Sequence, residues 1–322
     1  MRRLVLTSGC WFLTWALLHA QAPAPVAREV LDAAISVIKT EALRKDALAW
    51  DVVEPRARAL AAGATKSSDV YPAIRYLLEQ LGDHHSRLTV PTQTAAFLSG
   101  GAQNPALEAH DLPGRVGYIK VPGYSGADAV AMRAYATRAH EAIGAAAALV
   151  ACGWIVDLRT NTGGNMWPML AGLQPLLGDG DLGAFETPAG LSRPWLAGQN
   201  VEVEPPATLD LESASVAVLT GPRTASSGEV VTIAFRGRPH TRSFGEPTAG
   251  LSTSNRTVIL PDGAAIFLTT GIDVDRTGRR YGEKVDPDEQ VPASAGAAGG
   301  DAAVAAAMRW LLQSSECEQR TQ

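Results

Sequence analysis

Thr224-Ala225-Ser226-Ser227-Gly228-Glu229 combines residue types that could do chemistry. The run follows an apolar stretch, Ala214 to Leu219, and a turn, Thr220-Gly221-Pro222-Arg223, and it leads into the helix-like Glu229 to Ala234. A strand that passes through a sharp turn into a helix sets the first helical residues where unpaired N–H groups can hold an anion. A serine there is a candidate nucleophile. Ser226-x-x-Glu229 is equally the spacing of a capping box, in which serine and glutamate satisfy orphan N–H groups reciprocally. The run alone does not separate the two readings, so its partners must.

A serine hydroxyl is a weak nucleophile until a base takes its proton, and the usual base is histidine. Past residue 20 the histidines are His84, His85, His110, His140 and His240. His140 falls in an alanine-rich helical stretch and His240 in a turn after Pro239, and both read as solvated surface residues. His84 and His85 follow a helix stop, a loop position from which an imidazole can project into a cleft. Paired histidines can also bind metal, but beyond Asp83 no Cys, Asp or Glu accompanies them at a usual ligand spacing. Acyl transfer further needs donors for an oxyanion. Asp157-Leu158-Arg159-Thr160-Asn161-Thr162-Gly163-Gly164-Asn165 leaves a buried strand through two glycines, whose backbone freedom can aim N–H groups into a cleft. Alone, the segment is also an ordinary strand-to-helix turn.

The elements that must position these residues alternate. Residues 26 to 82 read as helical: Leu31, Ile35, Ile38 and Ala42 recur at helical spacing, as do Trp50, Val53, Ala57 and Leu60, then Val70, Ile74, Leu77, Leu78 and Leu81. Ser68 or Asp69 can cap the third helix, Pro72 suits its first turn and Gly82 can end it. Residues 89–114, rich in Pro, Gly, Ala and Thr, read as a linker or flap. Beyond them, strands at Val116 to Val121, Trp154 to Leu158, Gly183 to Glu186, Ser215 to Leu219 and Thr241 to Phe244 alternate with helices at Asp128 to Ala148, Met166 to Leu177 and from Ser226. A hairpin turning at Leu260-Pro261-Asp262-Gly263 and a helix from Ala302 to Leu312 follow. Such alternation predicts an α/β core, residues 115–313, with a helical N-terminal region, residues 21–88, and a polar tail, residues 314–322.

Composition excludes several function classes. The 322 residues are 46% apolar and 19% charged, enough to bury a substantial core. Lys and Arg total 28 against 33 Asp and Glu, a net charge of −5, with no dense basic block, so nucleic-acid binding has no electrostatic footprint. Met1-Arg2-Arg3, an apolar run from Leu4 to Leu18 and Ala20 before Gln21 have the layout of a secretory signal peptide over residues 1–20. A retained membrane anchor is the alternative, with an apolar segment shorter than the ~20 residues a span needs. Cys10 lacks the flanking residues of a lipidation site. Export leaves Cys152 and Cys317, for which a bridge is possible but not implied. The mature chain is expected not to be membrane-embedded.

Three separated segments share one resemblance. Leu81-Gly82-Asp83-His84-His85-Ser86, Asp157-Leu158-Arg159-x-Asn161-x-Gly163-Gly164 and Thr224 to Glu229 resemble the signature blocks of the C-terminal processing (tail-specific) serine peptidases. Gly245-Glu246-Pro247-Thr248-Ala249-Gly250 and Val285-Asp286-Pro287-Asp288 add two more blocks in the same order. The resemblance implies a ClpP/crotonase-like spiral of ββα units with an N-terminal helical bundle. It is closer to the Ser/His branch, which includes the tricorn-like and nisin-resistance-type peptidases, because Leu251 stands where the Ser/Lys branch carries its lysine. It assigns Ser226 as nucleophile, His85 as base, and the N–H of Ser227 with that of Gly163 or Gly164 as the oxyanion hole. To orient His85, Glu229 is the first candidate and Asp83 the second, because Asp275 to Gly282 departs from the relatives' glutamate-before-glycine pattern. About thirty residues separate His85 from the Val116 strand, far below the ~100 of a domain, so no PDZ domain intervenes.

The reading that follows is an exported serine endopeptidase acting on protein or peptide tails, with no metal, nucleotide or other cofactor and no nucleic-acid partner. The alternative is a non-catalytic ligand- or peptide-binding protein on the same fold, which has no need to keep Ser226, His85 and the Gly163-Gly164 turn together. A crotonase-type acyl-CoA enzyme is disfavoured by the leader, since acyl-CoA is cytoplasmic.

Overall fold

The helical spacing of the N-terminal apolar residues produces three helices in the computed structural model, which describes residues 22–99, 104–203, 209–293, 300–314 and 317. The leader, with Cys10, and most of the polar tail lie outside the described residues. Helices α1 (Pro25–Glu41), α2 (Trp50–Leu60) and α3 (Tyr71–Leu81) bury Leu31, Ile35, Ile38, Val53, Ile74, Leu77 and Leu81 in a shared core. Burying such a side chain stabilises by roughly 1.5–3 kcal/mol. Neither Ser68 nor Asp69 caps α3 as expected. Asp69 instead accepts the N–H groups of Thr65 and Lys66 and closes a 3-10 turn, Ser67–Val70, that runs directly into the helix. Gly82 ends α3 in the left-handed region, φ 62°.

The segment read as linker or flap carries regular structure. It joins β1 (Arg87–Thr89) to α4 (Pro91–Leu98) and, beyond residues 100–103, β2 (Glu108–Leu112). Periodicity misses both elements for a physical reason: α4 buries only Thr94, and β2 is a largely exposed edge strand.

The remainder alternates in chain order: β3 (Val116–Lys120), α5 (Ala129–Ala147), β4 (Trp154–Asp157), α6 (Met166–Gly172), α7 (Gln174–Leu177), β5 (Gly183–Thr187), β6 (Gly190–Leu191), β7 (Val216–Thr220), α8 (Ser227–Ala234), β8 (Thr241–Gly245), β9 (Thr253–Ile259), β10 (Ala265–Asp275), β11 (Glu289–Gln290) and α9 (Ala302–Leu312). The single helix expected from Met166 to Leu177 is two, because Pro175 has no N–H to continue the ladder.

One sheet has the order β11-β8-β7-β4-β3-β2, parallel except for antiparallel β2. Every residue of β4 and β7 is buried, as expected when helices cover both faces of a parallel sheet. On one face lie α5, α6 and α8; on the other α9 packs Ala303, Ala306, Ala307 and Leu311 against Val116, Ile155, Leu219 and Phe244. A Cys152–Cys317 disulfide ties the end of the chain to the residues preceding β4. The second sheet, β1-β10-β5-β6 with β9 also on β10, is antiparallel. Its hairpin residues Leu260, Ala264, Ile266 and Leu268 belong to the same core as the N-terminal helices. The helical region and the second sheet therefore form one packed unit, which carries the Asp83-His84-His85-Ser86 loop.

Candidate active site

Ligands of open α/β sheets gather at the carboxyl ends of the strands, and there the turns leaving β4 and β7 meet. Asn161 is fully buried; its carbonyl accepts from Ala225 N (3.0 Å) and its Oδ1 from Gly163 N (2.9 Å). Thr224 Oγ1 donates to Leu158 O at 2.9 Å. The two turns pack so closely that a Cβ on Gly163 (φ 94°) would lie 2.8 Å from Ser226 Cβ, and one on Gly164 (φ 116°) only 1.8 Å from Tyr124 O. Glycine is required at both.

Ser226 has φ 52°, a left-handed conformation that a non-glycine residue holds only when its surroundings fix it. Glu229 supplies that fixing. Its carboxylate accepts four hydrogen bonds, from Ser226 N (2.8 Å) and Leu251 N (2.8 Å) on Oε2, and from Thr248 Oγ1 (2.5 Å) and Gly250 N (2.9 Å) on Oε1. The Gly245 to Gly250 block is thereby joined to the start of α8. Burial pushes the Glu229 carboxyl above its usual range, against the pull of these donors.

Across the cleft, His85 Nε2 lies 2.9 Å from Ser226 Oγ. Its loop is shaped by Asp83, whose Oδ1 accepts from His85 N (3.0 Å) and Ser86 N (2.8 Å), with Oδ2 accepting from Ser86 Oγ. His84 takes φ 56° and is exposed, which turns His85 inward. Burial, reinforced by the positive charge of Arg87 and opposed by Asp83, lowers the His85 pKa to about 4. The imidazole is therefore neutral at neutral pH.

Neither candidate for orienting His85 touches its ring. Glu229 is committed to the four donors behind Ser226, and Asp83 to backbone and Ser86. The ring's other nitrogen, Nδ1, lies 2.7 Å from Thr253 Oγ1, which sequence reasoning missed. No local motif marks Thr253: it reaches the site because β9 pairs with β10 and β10 pairs with β1. The Asp275 to Gly282 stretch folds onto itself, the Asp275 carboxylate accepting from Thr277, Arg279 N and Tyr281 Oη. Of the two serines, Ser227 turns away and donates its hydroxyl to Gly164 O at 2.7 Å. Its N–H sits in the first turn of α8, where backbone donors lack intrahelical acceptors. Of the two glycines, Gly163 gives its N–H to Asn161.

His140 is corrected outright. It is 3% exposed, not solvated, and its Nε2 lies 2.8 Å from Ala171 O, the carbonyl that Pro175 cannot satisfy. His240 is exposed. Among the described residues no group of three or more His, Cys, Asp or Glu could hold a metal ion.

The cleft around Ser226 and His85 encloses about 640 Å³ and is lined by Gly163, Gly164, Leu251 and Thr253, with Phe97, Trp167, Phe185 and Phe267 among its walls. A neutral imidazole against a serine hydroxyl, beside glycine turns and a helix N-terminus, can carry out acyl transfer.

Known proteins resemble the chain in sequence or in fold. The nisin-resistance protein of Lactococcus lactis subsp. lactis is 36% identical over 146 residues, 43% of this chain and 46% of that protein, so the match spans about half of the relative. A lipoprotein from Streptococcus agalactiae has the same fold at 23% identity, with a TM-score of 0.77 over 89% of this chain and 96% of that one. The photosystem II D1 C-terminal processing protease does so at 17% identity, with a TM-score of 0.59 over 84% of this chain and 94% of that one. The sequence profile of peptidase family S41 matches residues 115–291, more than half of the chain and every strand of the first sheet except β2. With that match the chain belongs to peptidase family S41 and is a serine peptidase.

Proposed function

We propose that this serine peptidase is an exported endopeptidase that cuts protein or peptide tails through Ser226 and His85. The observation that carries the reading is the 2.9 Å approach of His85 Nε2 to Ser226 Oγ. With Thr253 Oγ1 accepting Nδ1–H, the Nε2 lone pair faces the serine proton. His85 takes that proton as Ser226 Oγ attacks the peptide carbonyl. The oxyanion is received by Ser227 N–H and by Gly164 N–H, since Gly163 N–H is already engaged. His85 then protonates the leaving amine, and water hydrolyses the acyl-enzyme by the same proton path. Thr253 and Glu229 act as positioning residues, one on the base and one on the backbone of the nucleophile.

Tail cleavage is supported by the likeness to a C-terminal processing protease. Export is supported by the leader-like residues 1–20, by a disulfide of the kind that persists in oxidising compartments, and by the likeness to a lipoprotein. No helix among the described residues is long and apolar enough to cross a membrane. Digestion of a diverse peptide library by the wild type and by Ser226→Ala tests the reading. Cleavage at internal bonds in the wild type alone supports it; cleavage that survives Ser226→Ala, or none in either, overturns it.

A further inference from the structure

The aromatic wall of the cleft carries one permanent charge. Among the described lining residues Arg87 is the sole Arg, Lys, Asp or Glu. It stands two residues beyond His85, and its Cα pairs across the strands with Phe267. Its guanidinium lies 4.3 Å from the Phe267 ring centroid, and the Phe97 and Phe267 rings pack in a T-shape with centroids 5.4 Å apart and planes at 86°. Contact with the ring face restrains where the guanidinium can sit. No carboxylate among the described residues pairs with it: with them it makes no salt bridge or side-chain hydrogen bond. The side chain is exposed to the cleft. A preorganised, unpaired guanidinium at the wall of a binding cleft is built to receive an anion with planar, two-oxygen geometry.

We propose that Arg87 is a specificity-determining residue that binds a carboxylate of the substrate close to the scissile bond. Residues two apart in an extended chain are separated by roughly 7 Å, about the rise of two residues of an extended substrate, so the carboxylate lies roughly two residues from the bond that Ser226 attacks. Two sources share this chemistry: the terminal carboxylate of a short tail, or the side chain of an Asp or Glu. The guanidinium over Phe267 and the His85 imidazole line the same cleft, so the carboxylate also offsets the positive charge that acts on His85.

This inference rests on the peptidase reading, and its test keeps the two apart. Peptides cleaved in the library are remade in three forms: free C-terminus, C-terminal amide, and each acidic residue replaced by its amide. Each is assayed with the wild type, Arg87→Lys, Arg87→Gln and Arg87→Met. The wild type is expected to lose about ten- to a hundredfold in kcat/KM when the recognised carboxylate is neutralised, the range for a hydrogen bond to a charged group. The amide arm identifies a terminal carboxylate, the Gln or Asn arm a side chain. Arg87→Gln and Arg87→Met should cleave charged and neutral peptides equally, losing the wild-type preference for the charged form, with Arg87→Lys in between. If the variants slow charged and neutral peptides by the same factor, Arg87 only packs on Phe267 and the proposal is wrong. If no peptide is cleaved, the affinity of Ser226→Ala for the same peptides is measured with and without Arg87→Gln. Charge-dependent binding lost in the double variant then upholds the Arg87 site while the peptidase reading falls; charge-independent binding overturns the Arg87 site as well.

Discussion

Replacing Thr253 by valine probes how His85 is held. Valine keeps the β-branched shape in β9 and removes only the oxygen 2.7 Å from Nδ1. A neutral imidazole that offers its Nε2 lone pair to Ser226 must carry its proton on Nδ1, and without Thr253 that buried N–H loses its acceptor. An unsatisfied buried donor costs about 1–3 kcal/mol, and the alternative tautomer, with its proton on Nε2, cannot act as base. Either outcome falls on the reactive state, so kcat/KM drops about five- to a hundredfold. The loss is in kcat, because Thr253 acts on the ring rather than on bound peptide. Thr253→Ser, which keeps the hydroxyl, should recover most of the rate, and Thr253→Asp should move the acid limb of the pH–rate profile upward, since a carboxylate favours imidazolium. Steady-state kinetics from pH 4 to 9, with thermal unfolding to check that all variants fold, decide the matter. Wild-type kcat in Thr253→Val, or an unmoved acid limb in Thr253→Asp, would show that Thr253 does not hold the His85 ring.

Other consequences follow from the charges around the site. The acid limb of kcat/KM in the wild type should lie near pH 4, not 6.5, and Arg87→Gln should raise it by removing the nearby positive charge; a wild-type limb at 6.5 contradicts this. Because the folded-state pKa of His85 is depressed, its contribution to stability is present above pH 6.5 and is lost as pH falls toward 4; urea titrations of wild type and His85→Gln should diverge in that window. Asp273 is fully buried, neither of its oxygens has a hydrogen-bond partner among the described residues, and burial, with Glu229 nearby, holds its carboxyl well above the usual range. A raised acid contributes stability below pH 3.8 that is lost as pH rises toward its folded-state pKa, at about 1.4 kcal/mol per unit; Asp273→Asn should flatten that slope in urea titrations, and parallel slopes would remove Asp273 as its source. Glu229→Gln sets an NH2 among four donors and should cost at least about 2 kcal/mol of stability by urea melts, with a similar stability to wild type contradicting its role in holding Ser226.

Much of the site is legible in the sequence because its parts are local. The left-handed turn at His84, the two glycines after β4 and the serine at the start of α8 are each written in a few consecutive residues, and the order of blocks links them. The ambiguity of Ser226-x-x-Glu229 also has a local answer: Glu229 caps the Ser226 backbone while the Ser226 hydroxyl faces His85. Thr253 and Arg87 are different in kind. Their positions depend on β1, β9 and β10 pairing across as many as 180 residues, and neither residue type announces a role. His140 misled because its alanine-rich helix presents no clear apolar stripe, although the carbonyl it satisfies is exposed by a proline visible in the sequence. The helix and strand within residues 89–114 escaped for want of buried side chains, which are the source of periodicity.

The most direct test is covalent labelling with a fluorophosphonate, followed by peptide mapping of the adduct. One modified residue, Ser226, is expected, with labelling abolished in Ser226→Ala, slowed at least about a hundredfold in His85→Ala, and retained in Ser227→Ala and His84→Ala. An adduct on Ser227, or labelling that survives Ser226→Ala, would contradict this.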